Sequence, residues 1–228
     1  MVETQIIARG VSDRRVIEAM LKVPRHIFVE EAMSAQAYSD SALPIGEKQT
    51  ISQPYMVALM SELLQVKGSD KVLEIGTGSG SLTMALAQSV APAGHVFTFD
   101  RRLDLPKNAV KNVTRAGLKD YVTFCQRVAA EPFPEKNFDV AILDIPQPWE
   151  EVSVVKEALK PGGRVVSLNP TFNQIEKMAE ALRANGFVLV ESLELLQRPI
   201  LAREGKTRPV QRMVSHTEFL LFGIKTVD

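Results

Sequence analysis

Residues 72–83 read VLEIGTGSGSLT, an apolar run that breaks into alternating glycines and then resumes. Val72, Leu73 and Ile75 give the run the character of a buried strand, and Gly76 stops it. Beyond the last glycine, SLTMALAQSVA repeats its apolar residues at helical spacing and closes on PAG. A strand, a turn built on Gly76, Gly78 and Gly80, and a helix therefore follow one another directly. Glycines let the backbone turn tightly and approach a ligand with no Cβ in the way. The helix start then offers unpaired N–H groups to a polar or anionic group. A tight turn with no ligand has the same pattern, so the surroundings decide. Glu74 stands two residues ahead of the first glycine, and the next strand, HVFTFD, ends in Asp100. A carboxylate at that strand end can accept two hydroxyl hydrogen bonds from a ribose.

Outward from this motif the chain alternates. YVTFCQ, FDVAILD and GRVVSLN read as strands. LPKNAVKNVTRAG, WEEVSVVKEALKPGG and FNQIEKMAEALRANG read as helices, each closed by glycine, with Pro106 near the start of the first. FVLVESLELL and TEFLLFGIK are two late strands joined by a polar loop, which predicts an antiparallel pair. Alternating β and α units place the chain in the α/β class, with a doubly wound, mostly parallel sheet covered on both faces. The first 66 residues differ. VSDRRVIEAMLKV is a helix capped by Ser12 or Asp13, QPYMVALMSELLQV is another, and the stretch between them is rich in turn residues. The expected organisation is an N-terminal helical lid over residues 1–66 and a sheet domain over 67–228, meeting near Lys67–Lys71.

Composition narrows the class. In 228 residues, Lys+Arg and Asp+Glu are both 27, so nothing in the overall charge points to nucleic acid, although a local patch stays open. Cys125 is the single cysteine, set in an apolar run, and excludes a disulfide within the chain. With His26, His95 and His216 scattered, no zinc-like cluster is legible and no metal is expected. No apolar segment approaches the roughly 18 residues a membrane span needs, and the N-terminus lacks a charged-then-apolar signal layout. A soluble, cytoplasmic protein with no membrane partner is expected.

G-x-G-x-G with an acidic residue ahead of it, and Asp100 after the next strand, resembles the class I S-adenosylmethionine-dependent methyltransferases over about residues 69–226. The resemblance implies a seven-stranded, Rossmann-like sheet with an antiparallel last strand, and S-adenosyl-L-methionine as cofactor. It implies that Glu74, Gly76 and Gly78 line the cofactor's methionine end and Asp100 its ribose. It further implies contacts from Thr77, Ser79, Gly80, Leu82, Thr83 and Arg101, and from Thr50 and Ile51 of the lid.

Two finer resemblances disagree about the acceptor. RVIEAMLKVPRHIFV and AYSDSALPIGEKQTISQPYMVALM, within about residues 9–80, resemble the protein-L-isoaspartate O-methyltransferases. There the TISQP segment, Thr50–Pro54, folds over the cofactor and its serine, here Ser52, touches the reacting group. LDIPQPW, the helices that follow and RPVQRMVSHTEFLLF instead resemble the tRNA adenine-N1 methyltransferases acting on position 58. That family's N-terminal β-rich domain is replaced by the helical lid, and QRVAAE after Cys125 lacks the aspartate that often meets the cofactor's adenine. Where Asp144 falls, the isoaspartyl family usually has a small or apolar residue.

Electrostatics separates the acceptors. An isoaspartyl acceptor is a carboxylate that attacks when ionised, and a second carboxylate within about 4–6 Å opposes that ionisation. An adenine becomes cationic as its N1 takes the methyl, and a nearby aspartate stabilises that charge. Asp144, at a strand's carboxyl end, therefore favours an adenine, with Pro146 and Pro148 stiffening the loop. Asp144 can equally cap the following helix. Trp149 either stacks on a base or packs beneath the loop, and His216 either contacts substrate or is structural. Arg203 and Arg208, in a basic stretch between the late strands, are placed to grip phosphates, or simply form a solvated hairpin tip.

The resulting expectation is a methyltransferase acting on adenine N1 in tRNA, with Asp144 orienting the acceptor and Pro146, Trp149, Arg203, Arg208 and His216 as substrate contacts. An isoaspartyl residue in damaged protein, met by Ser52, is the alternative, and a cofactor-binding regulator without turnover is the third. The tRNA family is typically tetrameric and the isoaspartyl family largely monomeric, so the two resemblances leave a homo-oligomer open.

Overall fold

The computed structural model describes residues 1–46, 49–102, 107–195, 200–201, 203–209 and 218–227. Short helical turns over Val2–Arg9 lead to α1 (Arg14–Lys22), whose cap is Asp13: its side chain accepts from the backbone N–H groups of Arg15 and Val16. Val16, Ala19 and Met20 turn inward at helical spacing, and the helix stops at Val23, which precedes Pro24 and is held extended. After two 3₁₀ turns, the segment expected to be irregular forms a small antiparallel hairpin, β1 (Leu43–Gly46) and β2 (Gln49–Ile51). It delivers the chain to α2 (Pro54–Leu64), which begins with proline at a position where no N–H is needed.

The main sheet then assembles. β3 (Lys71–Ile75) leads through the glycine turn to α3 (Ser81–Val90), followed by β4 (His95–Asp100), α4 (Lys107–Arg115), β5 (Val122–Gln126) and β6 (Phe138–Leu143). α5 (Val152–Ala158), β7 (Leu159–Asn169), α6 (Phe172–Ala184), β8 (Phe187–Leu195), the short pair β9 (Ile200–Leu201) and β10 (Arg208–Pro209), and β11 (Glu218–Lys225) complete it. The seven strands run in the order β5-β4-β3-β6-β7-β11-β8. β3 to β7 are parallel, and β11 lies antiparallel between β7 and β8. The mostly parallel sheet is the one expected from the alternation, and its seven strands with an antiparallel last strand are those the resemblance implies.

Successive strand residues face opposite layers. Val72, Val96, Val140, Ile142 and Val166 join one apolar layer with residues of α1, α2 and α3. Leu73, Ile75, Phe99, Ala141 and Leu143 join the other, with residues of α5 and α6. The helix expected over residues 149–163 is shorter: a 3₁₀ turn occupies Pro148–Glu150, and from Leu159 the chain is already β7. Pro161 ends the helix, because the residue before a proline is pushed towards extended backbone. Among the described residues no helix is long and apolar enough to cross a membrane.

Candidate active site

The strand order reverses between β3 and β6, and both strands end at one crevice, where open α/β sheets place their ligands. A cavity of about 520 Å³ opens there, lined by Gly76, Gly78 and Asp100 on one side and Asp144, Ile145 and Pro146 on the other. Thr50 and Ser52 reach it from the segment of β2 that leads into α2, and Leu168, Pro170, Gln174 and Glu218 from the later strands and α6.

Gly76 is required by both conformation and space. Its φ is +101°, and a Cβ built there would lie 2.1 Å from the carbonyl oxygen of Asp144. The turn is pinned by the Gly76 N–H donating to Phe99 O and the Asp144 N–H donating to Ile75 O, at 2.8 and 2.9 Å. These bonds lock the ends of β3, β4 and β6 into one rim. Behind the turn, Glu74 is fully buried and accepts a 2.6 Å hydrogen bond from the Thr83 hydroxyl, while its Oε1 has no partner among the described residues. Burial pushes its pKa up to about 8. Thr77 is buried against Thr98 at 2.7 Å, and Ile51 is buried at the end of β2. Ser79, Gly80, Leu82 and Thr83 build the turn and start α3 behind the cavity lining.

Asp100 receives the Arg102 guanidinium on both carboxylate oxygens, at 3.0 and 2.8 Å. Burial alone would raise its pKa; the hydrogen bonds and charge of Arg102, with the Gly78 N–H, outweigh this and hold it below the ordinary aspartate value. The carboxylate is thus ionised and suited to accept from a diol. Asp144 is in the opposite condition: burial in the cavity wall pushes its carboxyl up to about 6. Its loop is braced by α6, where Gln174 donates to Pro146 O at 3.0 Å while accepting from Thr171 in a reciprocal N-terminal cap.

Of the residues singled out in the sequence, Thr50, Ser52, Gly76, Gly78, Asp100, Arg101, Asp144 and Pro146 meet at this cavity. Trp149 does not line it; its ring packs on the α5–α6 layer with Lys177 Nζ 4.9 Å above it. Arg203 and Arg208 are exposed on the β9–β10 hairpin, apart from the cavity lining. His216 lies outside the described residues. Among the lining residues that had no signal of their own are Arg127 and Glu151. They form a buried ion pair at 2.8 Å, and Glu151 also accepts from the Ala130 N–H. The pair spans 24 residues of chain, and only the fold brings it together.

A glycine turn stripped of side chains and an ionised carboxylate at the next strand end fit a ligand that carries a ribose. S-adenosylmethionine is such a ligand.

Comparison with known proteins agrees. The family model "Protein-L-isoaspartate(D-aspartate) O-methyltransferase (PCMT)" matches residues 1–194, well beyond the stretch near residue 80 where that resemblance was expected to stop. A protein-L-isoaspartate O-methyltransferase of Geobacter metallireducens is 52% identical over 178 residues, covering 78% of this chain and 80% of that protein. Among solved structures, an S-adenosylmethionine-dependent O-methyltransferase from Thermotoga maritima superposes with a TM-score of 0.70 at 36% identity, covering 79% of this chain and 68% of that one. The tRNA (m1A58) methyltransferase of Aquifex aeolicus follows at 0.64 and 34%, covering 79% and 72%.

Proposed function

We propose, from the premise that this chain belongs to the protein-L-isoaspartate(D-aspartate) O-methyltransferase family and is an S-adenosylmethionine-dependent methyltransferase, that its acceptor is an isoaspartyl carboxylate in protein. The expectation that ranked a tRNA adenine first gives way here. The observation that carries the reading is the Thr50–Ser52 segment on the cavity wall, within the 194 residues that match the family. Residues 1–66 then act as the lid that presents this segment.

When bound, S-adenosylmethionine supplies a methyl on a sulfonium; the acceptor oxygen bonds to that carbon as the C–S pair returns to sulfur. The chain's own work is alignment, and holding reactants in line can supply several kcal/mol of the barrier. Ser52 lines the cavity, and its hydroxyl there can donate to the acceptor carboxylate. Asp144 no longer argues against a carboxylate acceptor. With its pKa raised to about 6, the approach of a second negative charge raises it further, and a protonated Asp144 donates a hydrogen bond instead of repelling.

A second reading keeps adenine as the acceptor, favoured by Asp144 at the strand end beside a proline-stiffened loop. The test offers radiolabelled S-adenosylmethionine with an isoaspartyl peptide and unmodified tRNA in parallel. Base-labile label in the peptide supports the proposal. Alkali-stable label in the tRNA alone overturns it.

A further inference from the structure

The segment bearing Ser52 runs directly into α2, and α2 lacks a cap of its own: its N-cap residue is Gln53, whose side chain makes no capping bond. A helix start leaves N–H groups without intrahelical partners and favours negative charge. The missing cap arrives from elsewhere in the chain. Asp40 Oδ1 accepts from the Tyr55 backbone N–H at 3.3 Å, inside the first turn of α2. Asp40 Oδ2 accepts from the Gln53 side-chain amide at 2.8 Å and pairs with Arg9. One carboxylate thus holds the two residues that follow Ser52 on either side of Pro54.

Asp40 is itself held from several directions. The buried Arg25 guanidinium donates to Ala37 O at 2.6 Å and to Ser41 O at 3.4 Å, fixing the turn on both sides of it. The Arg9 guanidinium lies 3.5 Å from the Tyr55 ring centre, and the Tyr55 hydroxyl donates back to Arg9 O. Gln53 is only 8% exposed, so its amide cannot exchange Asp40 for bulk water cheaply. None of these groups touches the cavity, yet all converge on the few residues through which the lid meets it.

We infer that Asp40 is a positioning residue for methyl transfer: by capping α2 from outside the helix and gripping Gln53, it fixes the Thr50–Gln53 segment over the cavity and so sets acceptor affinity. The inference rests on the acceptor reading above for its catalytic consequence, but not for the clamp itself. Asp40→Asn is the test, because it keeps the shape while turning one acceptor oxygen into an amide donor facing Arg9 or Gln53.

The experiment pairs two readouts on the full chain. Hydrogen exchange of the amides of residues 50–56 is followed with S-adenosylhomocysteine bound. Steady-state transfer to an isoaspartyl peptide is measured beside the affinity for S-adenosylhomocysteine. The expected result is at least tenfold faster exchange in this segment, with exchange in β3 and β6 unchanged. The peptide KM rises about tenfold, equivalent to about 1.4 kcal/mol, with kcat and S-adenosylhomocysteine affinity within about twofold of the parent protein. Arg9→Gln shifts both readouts in the same direction by less. Unchanged exchange at 50–56, or cofactor affinity falling in proportion to KM, overturns the inference, since the second pattern is that of general loosening. If the parent protein does not methylate the peptide, the acceptor reading falls by itself, and the exchange readout alone decides the clamp.

Discussion

The two walls of the cavity are made of different material. Around the glycine turn the wall is largely backbone: the Gly76 N–H donates to Phe99 O of β4, and the Gly78 N–H bonds the Asp100 carboxylate. The other wall, which the proposal above gives to the acceptor, is side chains brought in from Ser52, Asp144, Gln147, Gln174 and Glu218. A backbone wall tolerates almost no substitution, because nothing can rotate away. A side-chain wall can be retuned residue by residue, which suits a cofactor common to many enzymes and an acceptor that differs among them.

The sharpest way to break the contrast is Gly76→Ala. Its Cβ would overlap Asp144 O and its φ of +101° disfavours any L side chain, so S-adenosylhomocysteine affinity should fall by at least a hundredfold, about 2.7 kcal/mol. Equilibrium dialysis checks this, and a loss below tenfold would mean the rim can shift. On the other wall, Ser52→Ala should cost about tenfold in kcat/KM for the isoaspartyl peptide, a typical value for one hydrogen bond to a charged group, with cofactor binding unchanged.

Asp144→Asn sharpens the comparison further through pH. The carboxyl is protonated below about 6 and ionised above it. For a carboxylate acceptor the protonated form is the helpful one, so kcat/KM of the parent protein declines as pH rises through this range, and the asparagine variant loses the decline while staying within about threefold at the acid side. An adenine acceptor demands the reverse: activity rising through about pH 6 and abolished in the variant. The smallest effect belongs to Arg203→Glu with Arg208→Glu, exposed and outside both walls; peptide methylation should stay within about twofold.

The difference between the walls also explains what the sequence could disclose. The glycine wall was legible because its residues are contiguous: one strand, one glycine turn and one carboxylate at the next strand's end. The sheet was legible for the same local reason, down to the antiparallel pairing of β8 with β11. The acceptor wall depends on long-range placement. Arg127 and Glu151 announce nothing in their own stretches, and Asp144 read as an ionised group because its burial lies in the fold rather than in the letters DIPQPW. The aromatic in that stretch was also ambiguous by nature. An indole before a helix can stack on a substrate or pad a layer, and here Trp149 pads.

The position of β11 has a consequence for how the molecule is made. It enters the sheet between β7 and β8, pairing with both, although it follows them in the chain. A growing chain that has completed residue 195 therefore holds β8 without its sheet neighbour and β7 with one edge bare. That exposed ladder persists until residues 218–225 emerge and slot between them. Because pairing over such separations is slow and open edges invite other strands, any folding route that forms β7 and β8 before β11 passes through a state with bare sheet edges.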